Sequence, residues 1–442
     1  MSLEIAIVGS GPGGFYAAEA LLRRVEDCRV DILERLPTPY GLIRGGVAPD
    51  HQSTKRVSRA FERTALDPRV RYYGNVEVGR DVTIDELRAA YDAVVLAVGA
   101  PLDNRLGIPG EDKTGVIGSA AFVGWYNAHP DFKDLAPDLD TRAVAVIGNG
   151  NVAIDVARVL VKTPAEMAAS DLPDYAAQAI HRSPLRDVYM IGRRGAVEAK
   201  FTNVELREMG QLEASAPVVD PEQLPDSVVG DYSDRDRRLR EKNLATLREF
   251  ASMDPAAKPR RVHFLFYAKP VEVLGGARVE GLRLERTRVD GGRATGTGEY
   301  FELACGLVIP AIGYHSQPLE GAPFDESRGI VANTDGRVEK GLYAAGWIKR
   351  GPTGVIGTNK PDGATAAEQI CAEISPADKP GHSALERLLG ERGVRWVTFA
   401  DWQRIEQAET ENASPGAPRR KFVTIAEMLS SLEEVPYAAV SP

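Results

Sequence analysis

The sequence predicts an α/β chain built on two doubly wound parallel sheets, the second inserted within the first. Three observations predict it. Two short apolar runs, at 4–9 and 143–148, each end in a glycine-rich turn and lead into a helix-forming stretch. Such unbroken apolar runs suit strands buried on both faces of a parallel sheet. Further apolar runs return at 91–100, 307–314 and 342–347, so the first sheet is completed only after the second. Finally, 442 residues exceed one ordinary core. The expected boundaries are 1–104 and 316–442 for the outer domain and 105–315 for the inserted one.

The first unit opens with Glu4-Ile-Ala-Ile-Val-Gly9, a strand that feeds directly into Gly9-Ser10-Gly11-Pro12-Gly13-Gly14, a GxGxxG turn. A helix is expected from Phe15 to Arg24, then a second strand from Arg29 to Leu33 that ends in Glu34. Each part has a physical reason. Gly9 permits the tight turn, Gly11 lets a pyrophosphate approach the backbone, and Gly14 lets helix and strand pack closely. The helix N-terminus, with Pro12 in its first turn, offers N–H groups and positive potential to phosphate. Glu34 follows Gly9 by 25 residues, where a carboxylate can accept hydrogen bonds from ribose hydroxyls. The unit predicts a Rossmann-like dinucleotide site.

The second unit repeats the plan. Ala143 to Ile147 is a strand, Gly148-Asn149-Gly150-Asn151-Val152-Ala153 is a GxGxxA turn, and a helix follows. The next strand, Asp187 to Gly192, ends in Arg193-Arg194. An acid there would hold the ribose 2′-hydroxyl of NAD; two arginines instead suit the 2′-phosphate of NADPH or NADP+. Gly148 to Arg193 spans 45 residues, more than the usual ~20, so 163–186 is expected to be an insertion of helix and loop. Two such units imply two dinucleotides.

Four further stretches resemble the adrenodoxin reductase family of ferredoxin–NADP reductases, with its bacterial FprA-type members. They are Pro39-Tyr-Gly-Leu-Ile-Arg-Gly-Gly-Val-Ala-Pro-Asp-His51, the Gly148–Ala153 turn, Gly192-Arg-Arg-Gly195, and Gly346 to Asn359. The resemblance runs along nearly the whole chain. It implies an FAD enzyme that takes hydride from NADPH and passes electrons singly to a ferredoxin-type iron–sulfur protein. It implies FAD contacts from Glu34, Leu42, Val76, Trp347 and the backbone of Gly354, Val355 and Ile356. NADPH contacts are implied for Asn149, Gly150, Asn151, Val152, Arg193, Arg194, Glu205 and Gly354, and proton handling or nicotinamide placement for His51 and Glu208. Glu205 and Glu208, three apart, share one face if helical. Backbone N–H groups of the Gly354–Gly357 stretch can stabilise negative charge on a reduced flavin.

The rest of the sequence narrows the alternatives. Cys28, Cys305 and Cys371 lie far apart, which excludes a CxxC redox pair and hence a disulfide reductase, and suits a reducing, cytoplasmic setting. No cysteine-rich cluster segment like that of a glutamate synthase small subunit occurs, and no metal site is expected. No basic stretch precedes the strand beginning near Leu3, so no secretory signal is expected. No apolar run reaches the ~18 residues that span a bilayer. With 54 basic against 63 acidic residues the net charge is −9, which argues against nucleic acid as a partner. Rival readings are a non-catalytic NADPH-sensing flavoprotein, a flavin monooxygenase, or a reductase of another protein acceptor. The segment 225–261 holds nine Arg or Lys residues against seven acids, either a solvated helix or a docking face for an acidic carrier. Residues 271–285 and 299–303, around Gly291-Gly292, predict a hairpin-like excursion. Residues 376–420, with four prolines, predict a surface appendage.

Overall fold

A computed structural model describes residues 2–433 of the chain. Residues 1 and 434–442, the ends of the expected outer domain, lie outside the described residues. The chain divides into two compact units. One contains the chain up to Leu102, Asn127–Lys133 and the chain from Tyr314 onward; the other contains Asp103–Tyr126 and Asp134–Gly313. These crossings lie within two residues of the expected 104 and 315 boundaries. The short segment 127–133 belongs to the first unit, which the sequence did not suggest.

In the first unit, β1 (Leu3–Val8) leads through helix α1 (Pro12–Arg24) to β2 (Cys28–Glu34), β3 (Val70–Gly74) and β4 (Ala93–Leu96). The second unit begins its sheet with β5 (Ala143–Ile147), helix α2 (Asn151–Val161), β6 (Asp187–Ile191), helix α3 (Asn203–Glu208), β7 (Ser215–Val219), helix α4 (Asp234–Ala251) and β8 (Arg260–Leu265). It continues with β9 (Ala268–Leu274), β10 (Gly281–Asp290), β11 (Arg293–Ala304) and β12 (Leu307–Pro310). The chain then re-enters the first unit with β13 (Arg337–Glu339), β14 (Leu342–Ala344), helix α5 (Asn359–Glu373) and helix α6 (Phe399–Glu411).

The first sheet has the order β13-β14-β4-β1-β2-β3, parallel except for the edge strand β13. Its strands are buried on both faces, as their apolar runs require. Leu3, Ile5 and Ile7 of β1 enter one core with Val30, Ile32, Ala93 and Val95, while Ala6 and Val8 enter the opposite core with Leu33, Val94 and Leu96. Strand order reverses between β1 and β4, and in such sheets the carboxyl-end crevice at the reversal holds the ligand. The second sheet, β12-β5-β6-β8-β7, is wholly parallel and reverses between β5 and β12. The antiparallel meander β9-β10-β11 packs Val273, Leu282 and Leu284 with Ala145, Ile147 and Val308 of that sheet. No described helix is long and apolar enough to cross a membrane.

Three expectations are corrected. The stretch 376–420 is no appendage: Ala384, Leu385 and Leu389 join one core of the first sheet and Val397, Phe399, Trp402 and Ile405 the other. The spacing of Phe399, Trp402 and Ile405 is that of one helix face, masked by the flanking prolines. The run 271–285 is two strands, β9 and part of β10, so the excursion has three strands. Trp347, the end of the apolar run 342–347, lies beyond the strand, at the start of a short helix Trp347–Arg350. Within the basic run, Arg235, Arg238 and Lys242 of α4 are exposed, and six others are bonded locally. Arg237 donates to the carbonyls of Val228 and Gly230, Arg248 to those of Pro225 and Asp226, Arg260 to that of Val161, and Arg240 and Lys258 also donate to carbonyls. Arg261 pairs with Asp187 at 2.6 Å.

One buried acid makes the first unit sensitive to pH. Asp31 on β2 is 1% exposed and accepts a hydrogen bond from the Tyr91 hydroxyl at 2.7 Å. Burial pushes its carboxyl from 3.8 up to about 7. The folded protein therefore keeps a proton that the unfolded chain has released, so this site's contribution is full below about pH 4 and is lost as pH rises toward 7. Asp31→Asn, which still offers Tyr91 an acceptor, should raise the melting temperature at pH 8 by about 2–5 °C. It should change it little at pH 4. Equal shifts at both pH values would refute the titration of Asp31 as the cause.

Candidate functional site

Each unit carries its glycine turn at the carboxyl end of its first strand, beside the strand reversal. The three glycine positions of the first turn do different work. A Cβ on Gly9, at φ +108°, would lie 2.5 Å from the Ala97 carbonyl oxygen after β4, and one on Gly14 would collide with the Gly9 carbonyl. At Gly11 the nearest atom to such a Cβ is 4.0 Å away. The second turn repeats this. A Cβ on Gly148 would strike the Ala311 carbonyl after β12, while at Gly150 nothing lies within 4 Å. Two of the positions are thus closed by backbone, and the middle one opens where a diphosphate must approach. Helices α1 and α2 start at Pro12 and Asn151, with no side chain capping either N-terminus. The free N–H groups and the helix dipole leave both ends fit for an anion.

Glu34 ends β2 and points back at the first turn. Its Oε2 accepts from Ser10 N at 3.1 Å and Ser10 Oγ at 2.7 Å, and its Oε1 from Leu36 N at 3.3 Å. Val76 is only 1% exposed, and its N–H donates to the Glu34 carbonyl. Its side chain belongs to the core, so it acts on the rim through Glu34. Leu42, by contrast, is 48% exposed. Its loop is held from behind: Tyr40 takes φ +83°, and its ring packs on Phe15 and edge-on to Trp402. Arg44 forms a two-pronged pair with Glu409, which is fully buried. His51 occupies the N-cap position of the short helix Gln52–Lys55 without a capping side-chain hydrogen bond.

The Trp347 ring stacks on Tyr314 at 6.2 Å. Beyond it, Gly354 turns at φ +85° and Val355 is 61% exposed. Thr358 Oγ1 donates to the Val355 carbonyl at 2.6 Å, and the Arg350 guanidinium binds Asp362, Asn359 and the Thr353 carbonyl. This anchored stretch precedes α5, with Thr353, Gly354 and Val355 exposed.

In the second unit Asn149 and Asn151 shape the turn: Lys200 N donates to the Asn149 carbonyl, and Thr202 N to Asn151 Oδ1 at 2.8 Å. Val152 opens α2. Arg193 and Arg194 follow β6, with their backbone fixed. The Arg193 carbonyl accepts from Thr287 Oγ1 at 2.7 Å and the Arg194 carbonyl from Tyr267 N at 3.2 Å. Arg193 is exposed, Arg194 half-buried, and neither guanidinium has a partner among the described residues.

Glu205 and Glu208 do share one helix face. Both reach Arg158 of α2, at 3.4 and 3.0 Å, and Arg158 also contacts Asp155 at 3.0 Å. Arg158 is wholly buried. The sequence reading missed it; the available signal was a single charge inside the apolar run Val156–Val161, three residues after Asp155.

Comparison with known proteins adds to this geometry. Residues 3–209 match the family model described as pyridine nucleotide-disulphide oxidoreductase. The chain is 42% identical over 445 residues to NADPH-ferredoxin reductase FprA of Mycobacterium leprae, covering 96% of this chain and 97% of that protein. It is 42% identical to the mitochondrial NADPH:adrenodoxin oxidoreductase of Homo sapiens, covering 97% of this chain and 92% of that protein. Among solved structures, Mycobacterium tuberculosis FprA in complex with NADPH superposes with a TM-score of 0.93 at 41% identity, covering 98% of this chain and all of that one.

Proposed function

Because the chain belongs to the family of NADPH-ferredoxin and NADPH:adrenodoxin reductases, we propose that it is an FAD-dependent ferredoxin–NADP(+) reductase. The observation that carries this reading is the different ending of the two second strands, Glu34 in one unit and Arg193-Arg194 in the other. When bound, FAD accepts hydride from NADPH and releases the electrons singly to an iron–sulfur protein.

The chain's own residues bind, orient and shield. The stretches up to 104 and from 316, together with 127–133, form the flavin domain, and the rest of 105–315 the NADPH domain. The Gly9–Gly14 turn, with Gly11 and Pro12 at the start of α1, receives the FAD diphosphate. Glu34 accepts from the ribose hydroxyls, and Val76 steadies Glu34 through its main chain. Leu42 and Trp347 would hold a bound flavin, and the N–H groups of Gly354, Val355 and Ile356 would stabilise negative charge on it. Gly148, Asn149, Gly150, Asn151 and Val152 receive the NADPH diphosphate. Arg193 and Arg194 pair with the 2′-phosphate, and Glu205 and Gly354 also contact NADPH. His51 and Glu208 handle protons or place the nicotinamide. Supporting this division are the two open middle glycines and the unpartnered guanidiniums. The three free cysteines suit a cytoplasmic enzyme, which cell fractionation tests.

The direct test is anaerobic mixing. The purified protein should be yellow, release FAD on heating, bleach with NADPH and recover its colour when oxidised ferredoxin is added. Recovery of FMN, or bleaching without reoxidation by any ferredoxin, would overturn the assignment. Absence of NADPH-to-ferricyanide turnover would favour a non-catalytic NADPH sensor instead.

A further inference from the structure

The loop 40–46 lies directly against the first glycine turn. Tyr40 N donates to the Ser10 carbonyl at 3.0 Å, and a Cβ on Gly41 would lie 3.0 Å from Gly11 Cα. The loop therefore borders the opening that Gly11 leaves for a diphosphate. Its backbone is not one that the local sequence keeps unaided. Tyr40 and Gly41 take φ of +83° and +50°. An aromatic residue in that region persists only where its surroundings over-determine it.

Those surroundings come from residues 402–422, at the far end of the chain. Trp402 of α6 meets the Tyr40 ring edge-on at 6.0 Å and lies under the Arg44 guanidinium at 5.2 Å. Glu409 of the same helix is wholly buried. Its two oxygens accept from Arg44 at 2.5 and 2.9 Å, and Oε1 also accepts from Phe422 N at 2.9 Å. The buried Lys421 donates to the Arg44 carbonyl at 3.1 Å and to the Asn127 carbonyl at 3.2 Å. Arg44 is thus gripped by both its side chain and its main chain. A two-pronged pair fixes direction as well as distance, and out of water the loss of one partner leaves the other charge uncompensated.

We propose that Glu409 and Lys421 are positioning residues for FAD: acting through Arg44, they hold the loop 40–46 against the Gly9–Gly14 turn and so slow the release of the bound cofactor. The proposal rests on the reading of that turn as the FAD site. Both side chains are buried behind the loop, so they act on the cofactor through it. The C-terminal segment from α6 to Phe422 becomes part of the FAD site without lining it.

The test measures FAD release from the full-length holoenzyme, followed as the rise of free-flavin fluorescence after dilution. Release should be about tenfold faster in Glu409→Gln, since the charged acceptor of a two-pronged contact is lost. Lys421→Met should speed it about threefold, and it carries the test if Glu409→Gln does not fold. Arg44→Gln should match Glu409→Gln, and the double variant should be no faster than either, because the two residues act as one contact. Leu389→Ala, which loosens the same unit from its opposite core, is the control. It should lower the melting temperature and leave FAD release within about twofold of the parent. Release unchanged in both Glu409→Gln and Lys421→Met would overturn the proposal. So would additive effects of Arg44→Gln and Glu409→Gln, or release accelerated as much by Leu389→Ala, which would show general loosening. A parent protein that holds no FAD would overturn the reading of the first turn, and the proposal with it.

Discussion

Replacing Arg193 and Arg194 together by alanine is expected to raise the KM for NADPH by about a hundredfold and to leave that for NADH within about twofold. A hydrogen bond to a charged group contributes ~1.5–3 kcal/mol, about ten- to a hundredfold per contact. The substitution should be clean because the loop does not depend on these side chains. Its backbone is fixed by Thr287 Oγ1 and Tyr267 N, and neither guanidinium is used elsewhere among the described residues. Steady-state kinetics with both coenzymes checks this. Equal losses for NADPH and NADH would show that the arginines hold the loop rather than the phosphate.

Arg158→Met should be the most damaging single change in the second unit. Arg158 is fully buried and faces Asp155, Glu205 and Glu208, whose side chains are 17, 20 and 35% exposed. Removing the guanidinium leaves three carboxylates crowded around an apolar chain. Breaking a buried pair typically costs ~3–5 kcal/mol, and partial access to water puts this one near the lower figure, about 3 kcal/mol. The melting temperature should fall, and the KM for NADPH should rise as α3 loses its tie to α2. Arg158→Lys should recover part of the stability, because one ammonium cannot satisfy three carboxylates as a planar fork can. A variant as stable as the parent would show that the arginine is dispensable.

Much of this architecture was legible from the chain. Two strand–glycine–helix units announce themselves because each glycine answers a local steric demand, set by residues close in sequence or by the strand beside it. The roles of Gly9, Gly14 and Gly148 are of this kind. What escaped depends on long-range placement. Nothing in the spacing of prolines between 376 and 420 tells that Trp402 packs on Tyr40, more than 300 residues earlier. Linear density of positive charge in 225–261 likewise does not tell that Arg237 and Arg248 are spent on carbonyls of the preceding loop. The same blindness hid Arg158, whose partners Glu205 and Glu208 lie on another helix.

The interruption of the first sheet has a consequence for synthesis. β4 leaves the ribosome with one edge bare, and its neighbour β14 begins at Leu342, some 246 residues after Leu96. At ~5–20 residues per second, translation takes about 12–50 s to deliver that neighbour. The inserted unit has all its strands by Pro310 and can fold within that interval. The outer sheet, with the Gly346–Asn359 stretch that comes after β14, has to wait until those residues have been made. Nascent chains should therefore acquire a protease-resistant second unit before they can retain flavin, and the bare edge of β4 is the surface a chaperone would have to guard meanwhile.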